Sequence, residues 1–305
     1  MTQENKESQG SFAGCPVGQD ISTPGDNEVE ASQLKKMNPF SAAYSGYGHV
    51  VDGKFESAYP PGSDQYNFHV LAHNYVDAKI RDPRFPCILG QTAVKTGQIS
   101  FSAYTSDITT PEVAEGILYD LVRFQHEFGV PGRAKGRGGI LRSSLIAFNT
   151  PQITDELHGV TVLYKLLKNI HEINARFFDW AEGFSNELDS PDFGFSAGDT
   201  AYFIAYFHPQ ASWEPRRSDV SFIVLNSHHV LGALKATGMD NFERVKEIIR
   251  RRQPQPVHPY LGNHGAVPEF RQYTLLPATD EMEIAEAKIR SDTLGECPFQ
   301  PNKDR

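Results

Sequence analysis

His208 ends an apolar, strand-like run from Tyr202 to Phe207, and Arg216 and Arg217 follow a few residues later. An imidazole leaving a buried strand can ligate a metal, and guanidinium groups beside it can hold a dianion. Heme asks for both, an imidazole for its iron and arginines for its propionates. Pro209 restricts His208 to extended geometry and so fixes the direction in which its ring departs. The plainer alternative is a strand-end histidine bonded to a carbonyl, with the arginines paired to surface carboxylates. His228 and His229 open a helix beyond the second strand-like run, Val220 to Leu225. One of them is a distal group over the metal, or His228 replaces His208 as the ligand.

Other metal-type residues give weaker signals. Cys87 follows Phe85-Pro86 and reads either as a thiolate ligand or as a buried structural thiol. His69 and His73 lie one helical turn apart, the spacing of a zinc or non-heme iron pair, but no HExxH glutamate accompanies them. His158 and His171 fall on a long helix as core or rim residues. Neither GxGxxG nor GxxxxGK[ST] occurs, so nucleotide-cradling chemistry loses its usual support.

The elements that must position these groups follow from periodicity. Phe68, Leu71, Ala72, Tyr75, Val76 and Ile80 have helical spacing. Residues 85–104 read as strand-like stretches broken at Gly90 and Gly97. Thr110 and Pro111 start a helix that Gly129 stops, and a strand from Gly139 to Phe148 precedes a second helix from Thr154 to Glu172. The two runs around His208 form a strand pair. Helices follow near 227–236, 241–252 and 281–289. Residues 38–64, rich in Gly, Tyr and Pro, read as an irregular wrap. Strands and helices are interspersed, so the fold class is α/β or α+β, a single mixed-sheet domain with surrounding helices. The domain spans 37–299, behind a polar tail at 1–36 and ahead of a short one at 300–305.

A net charge of −9 over 305 residues argues against nucleic acid and anionic membranes as partners. Cys15, Cys87 and Cys297 are too few and too scattered for a disulfide framework, which points to a reducing cytoplasm. No apolar run is long enough to span a bilayer. Twenty phenylalanines and twelve tyrosines suit a macrocycle pocket and equally an ordinary aromatic core.

Three segments and a short ending carry a family resemblance. FPCILGQTAVKTGQISFSAYTSD (85–107) resembles the cysteine-containing segment of the YqcI/YcgG-type heme proteins. Residues 184–229, with His-Pro, a Ser, an Arg-Arg pair and Asn-x-His, are similar to that family's central block. HPYLGNHGAVPEFRQYTLLP (258–277) and the ending Cys-Pro-Phe (297–299) are similar to its later blocks. The family includes N-hydroxylases of guanitoxin and cycloserine biosynthesis. The resemblance covers about residues 66–299 and implies heme b, O2 and oxidation of nitrogen on a small amine, guanidine or aminoimidazole. It also implies an external electron donor such as a ferredoxin or a flavin reductase. On this reading His208 is the axial ligand, Arg216, Arg217 and Cys87 lie on the cofactor, and His228 or His229 delivers protons. Asp192, Asp199 or Glu269 would hold a cationic substrate. One departure stands out: where the family has a Glu-Gln-Phe-type run, this chain has His229, Val230 and Leu231. A heme carrier or sensor without turnover and a non-heme metal oxidase are the rival readings, and monomer or homodimer is left open.

Overall fold

A computed structural model describes residues 38–51, 54–128, 141–236, 238–261, 267–295 and 298–299. All belong to one compact unit, Asn38–Arg305. The expected tails, with Cys15, Cys297 and the start of the strand expected from Gly139, lie outside the described residues.

The centre is a mixed sheet in the order β2-β1-β3-β4-β7-β6-β5. Its strands are β1 (Tyr47–Val51), β2 (Lys54–Glu56), β3 (Ile99–Tyr104), β4 (Ser143–Phe148), β5 (Phe195–Ala197), β6 (Thr200–Phe207) and β7 (Ser221–Ser227). Only β3 and β4 pair in parallel; every other neighbouring pair is antiparallel. β2 pairs only with the outer half of β1, so six strands make the body of the sheet. β6 and β7 are antiparallel neighbours with Phe207 opposite Phe222 and Phe203 opposite Asn226, the strand pair expected around His208.

The helices are α1 (Asp64–Arg81), α2 (Ile88–Lys95), α3 (Pro111–Phe128), α4 (Glu156–Asn174), α5 (His228–Ala236), α6 (Met239–Arg251) and α7 (Asp280–Leu294). Ser63, Cys87, Asp155 and Thr279 cap α1, α2, α4 and α7 through their side chains, which satisfies backbone N–H groups the helices cannot. The mixed α/β architecture expected from the pattern is the one observed. Two local expectations differ. Residues 88–95 form a helix rather than a strand, because Cys87 caps it and Gln91, Ala93 and Val94 share its buried side. The segment 38–64 supplies β1 and β2 rather than only irregular backbone.

Side chains alternate across the strands, so each residue's parity fixes its face. Tyr202, Ile204 and Tyr206 of β6, Ile146 and Phe148 of β4, and Ile223 and Leu225 of β7 pack with α3 and α4 in one large core. Phe101 and Ala103 of β3, Leu145 and Ala147 of β4, and Ala205 and Phe207 of β6 face a second, smaller core built with α1 and α2. Among the described residues, no helix is long and apolar enough to cross a membrane.

Candidate functional site

The second face is where the molecule stays open. Beyond the smaller core it holds a largely apolar cavity of about 230 Å³. Phe203, Ala205 and Phe207 of β6 form its floor; Cys87, with α2 behind it, forms one wall. Val230 and Leu231 of α5 and Ile249 of α6 close the other side. Phe222 lies opposite Phe207 at one end, and Asn226 lies opposite Phe203 at the other. Phe203 and Phe207 are four residue steps apart along β6, so the floor is roughly 13 Å long at ~3.3 Å per residue.

Cys87 stands at one end. Its Sγ caps α2 and accepts a hydrogen bond from the Gly90 N–H at 3.4 Å. Burial pushes the thiol pKa up, while the Gly90 and Leu89 amides and the Arg216 guanidinium act in the opposite direction. Once deprotonated by a metal, the sulfur is therefore met by amide donors, a helix N-terminus and a nearby cation.

Arg216 is the second element of that end. Its guanidinium lies 4.9 Å over the Phe207 ring, which itself stacks on Phe222 at 4.3 Å and on Phe85 at 6.2 Å. Nη1 donates to the Tyr206 and Tyr273 carbonyls at 3.3 and 3.5 Å, and Nη2 to the Gln272 carbonyl at 3.3 Å. Those bonds tie the free edge of β6 to the segment after α6. Among the described residues no carboxylate meets this buried cation, and desolvation lowers its pKa to about 10. At the opposite end Ser143 donates to Asn226 Oδ1 at 2.7 Å, which leaves the Asn226 amide N–H groups as donors toward the cavity. Arg142 lines that end and Lys246 and Arg250 line the α6 side; none of the described lining residues is Asp or Glu.

The structure separates the residues singled out from sequence. Cys87 and Arg216 line the cavity together. His208 does not: it shares the parity of Tyr206, on the far face of the sheet. Its ring sits 4.8 Å from the Tyr206 ring and against Gly159 of α4, where a Cβ would come within 2.9 Å of it. Burial and the Arg216 charge lower its pKa to about 4. Arg217 turns outward, its Nε donating to the Ala211 carbonyl at 3.0 Å and its Nη2 to Ser212 at 3.4 Å. His228 Nε2 pairs with Glu269 at 3.0 Å, and that carboxylate also accepts from Tyr273 Oη at 3.0 Å. His229 is half-buried in the first turn of α5, its backbone N–H bonded to Ser227 Oγ at 3.2 Å. Neither histidine lines the cavity.

His69 is buried, its Nδ1 2.9 Å from Ser57 Oγ, and His73 stacks on Phe55 at 4.0 Å. Among the described residues no cluster of three or more His, Cys, Asp or Glu is arranged to hold a metal ion. Asp192 and Asp199 are exposed and Glu269 is engaged by His228, and none of the three lines the cavity. Sequence reasoning passed over Trp213, Asn226 and Gln272. Asn226 was within reach, since it sits on the same face of β7 as Phe222.

A mixed α/β protein with one cavity face, a helix-capping thiol in its wall and cations but no acids around it defines the class. Residues 76–286, more than half of the chain, match the model of the YqcI/YcgG family, and the protein belongs to that family. Among curated proteins and among solved structures, nothing matches.

Proposed function

We propose that this protein is a heme-dependent oxygenase acting on a nitrogen of a small amine, guanidine or aminoimidazole, with Cys87 rather than His208 as the iron ligand. The observation that carries the reading is Cys87 Sγ itself. It caps α2 from the cavity wall over an aromatic floor, while His208 lies behind the sheet. The donor set suits heme b: one soft sulfur ligand, flat apolar surface, and Arg142, Arg216, Lys246 and Arg250 for a dianionic edge. Bound there, the cofactor would activate O2 with electrons from a donor such as a ferredoxin or flavin reductase, helped by the electron push of a thiolate.

The chain supplies the remaining tasks. The Gly90 and Leu89 amides hold the sulfur and temper its charge. Phe203 and Phe207 keep water off the floor. Asn226, oriented by Ser143, offers N–H donors to an acceptor on the substrate. With no carboxylate in the lining, a nitrogen that is neutral when it binds is preferred over a guanidinium.

Size adds one requirement. About 230 Å³ is below the ~300–1,000 Å³ of small-molecule sites, so a macrocycle must displace part of the wall. α6 is the wall suited to move. Phe242 is its one buried residue, Gly238 precedes it at φ 123°, and Arg252 latches its end to Gln91 of α2 at 2.9 Å.

The test is hemin reconstitution of the purified protein, with spectra of the oxidised, reduced and CO-bound states. A thiolate-type CO spectrum that is lost in Cys87→Ser and kept in His208→Ala is the expected result. A protein that stays colourless with hemin ends the proposal. A Soret band without an oxidised amine, given reductant and O2, replaces the oxygenase with a heme carrier or sensor.

A further inference from the structure

The Cys87 end of the cavity carries polar groups that the protein itself leaves unmatched. Gln272 is 1% exposed and lines the cavity, and its Nε2 has no hydrogen-bond partner. Trp213 lines it too, and its buried Nε1 has none either. Arg216 spends Nη1 and Nη2 on backbone carbonyls, and among the described residues no carboxylate pairs with its charge. A buried donor without a partner and a buried cation without an anion are both costly, so two such donors and one such cation in one corner call for an explanation.

We propose that Trp213, Arg216 and Gln272 form a carboxylate subsite at the Cys87 end of the cavity. All three offer donors, and a carboxylate offers acceptors only. A neutral acceptor such as an alcohol or amide would satisfy the N–H groups and leave the Arg216 charge unbalanced. Structural duty does not account for the set. The Arg216 carbonyl bonds already hold the β6 edge, yet Trp213 Nε1 and Gln272 Nε2 gain nothing from that tie. Against these donors and the cation, the cavity wall holds one unmatched acceptor, Gln253 Oε1. The inference deepens the reading above and rests on it only for the source of the carboxylate, which is either the edge of the macrocycle or the substrate.

The experiment compares hemin with hemin dimethyl ester, in which both carboxylates are esterified, by titration into the full-length apoprotein. Hemin should bind about tenfold or more tightly than the diester. Gln272→Met and Trp213→Phe should each shrink that preference to about threefold without weakening the diester, an effect that general destabilisation would not produce. Should one variant fail to fold, the other carries the same comparison. Equal binding of hemin and diester moves the question to acetate, titrated into the hemin-loaded protein. A spectral shift on acetate that Gln272→Met removes assigns the subsite to a substrate carboxylate, and no shift overturns the proposal. If neither porphyrin binds, the heme reading falls alone, and decanoate is compared with decan-1-ol by tryptophan quenching. Preference for decanoate that weakens in Gln272→Met supports the subsite; equal or absent binding of the two overturns it.

Discussion

The two faces of the sheet are made from the same strands and have opposite characters. Under α3 and α4, Tyr202, Ile204 and Tyr206 are fully buried in one continuous core. On the other face Phe203, Ala205 and Phe207 share their space with a cavity. The closed face is covered by α3, the connection between the parallel strands β3 and β4, and by the long α4 that follows. The open face is covered by α1 over β3 and β4 and, around the cavity, by the shorter α2 and α5 and the thinly packed α6. Stability is concentrated where the helices are long and apolar, and a site for chemistry is left where they are not.

The sharpest way to break that contrast is at the two candidate ligands. Cys87→Ser should abolish the thiolate spectrum of hemin-loaded protein and lower hemin affinity about a hundredfold. His208→Ala, on the closed face, should leave both unchanged; the reverse outcome would move the chemistry to the other side of the sheet. Next in size, Ile204→Ala should cost about 2–5 kcal/mol by opening a hole in a closed core. Val224→Ala, on the half-open face, should cost about 1 kcal/mol, and urea unfolding of both variants measures the difference.

Gly159→Ala tests the packing of His208. Its Cβ would fall 2.9 Å from the imidazole, so a loss of about 1–3 kcal/mol is expected with hemin binding intact. A pH effect follows from His69, whose pKa burial lowers from 6.5 to about 4. A histidine held below its unfolded value stabilises the fold above pH 6.5, and that stability is lost as pH falls toward 4. Between pH 7 and pH 5 the loss is about 2 kcal/mol at ~1.4 kcal/mol per unit, and His69→Gln should remove it from the Tm profile. Asp120, buried and raised to about 6, pulls the other way, gaining stability as pH falls from about 6 toward its ordinary 3.8. The smallest effect belongs to Arg252→Ala, which releases the α6 latch. It should speed hydrogen exchange in α6 and change global stability by about 0.5 kcal/mol.

Much of the frame was legible in the residues. The apolar stripes of α3 and α4 and the run of alternating strand residues around His208 led directly to their elements. Residues 88–95 read as strand-like because Ile88, Thr92 and Val94 suit either state, and the feature that decides for helix is a cysteine acting as a cap. The site was legible only in part. Cys87 and Arg216 stand out by type, and His208 does so because the arginines follow it. Strand parity places Phe207, not His208, on the cavity side. Trp213 and Gln272 gave no signal, since an unmatched N–H exists only once distant segments have folded around it.

The bond between Gln91 and Arg252 joins positions 161 residues apart in the chain. The pocket's two walls are therefore synthesised at very different times. A ribosome must release most of the polypeptide before any enclosure exists, so whatever ligand lodges there has to arrive after translation is nearly done.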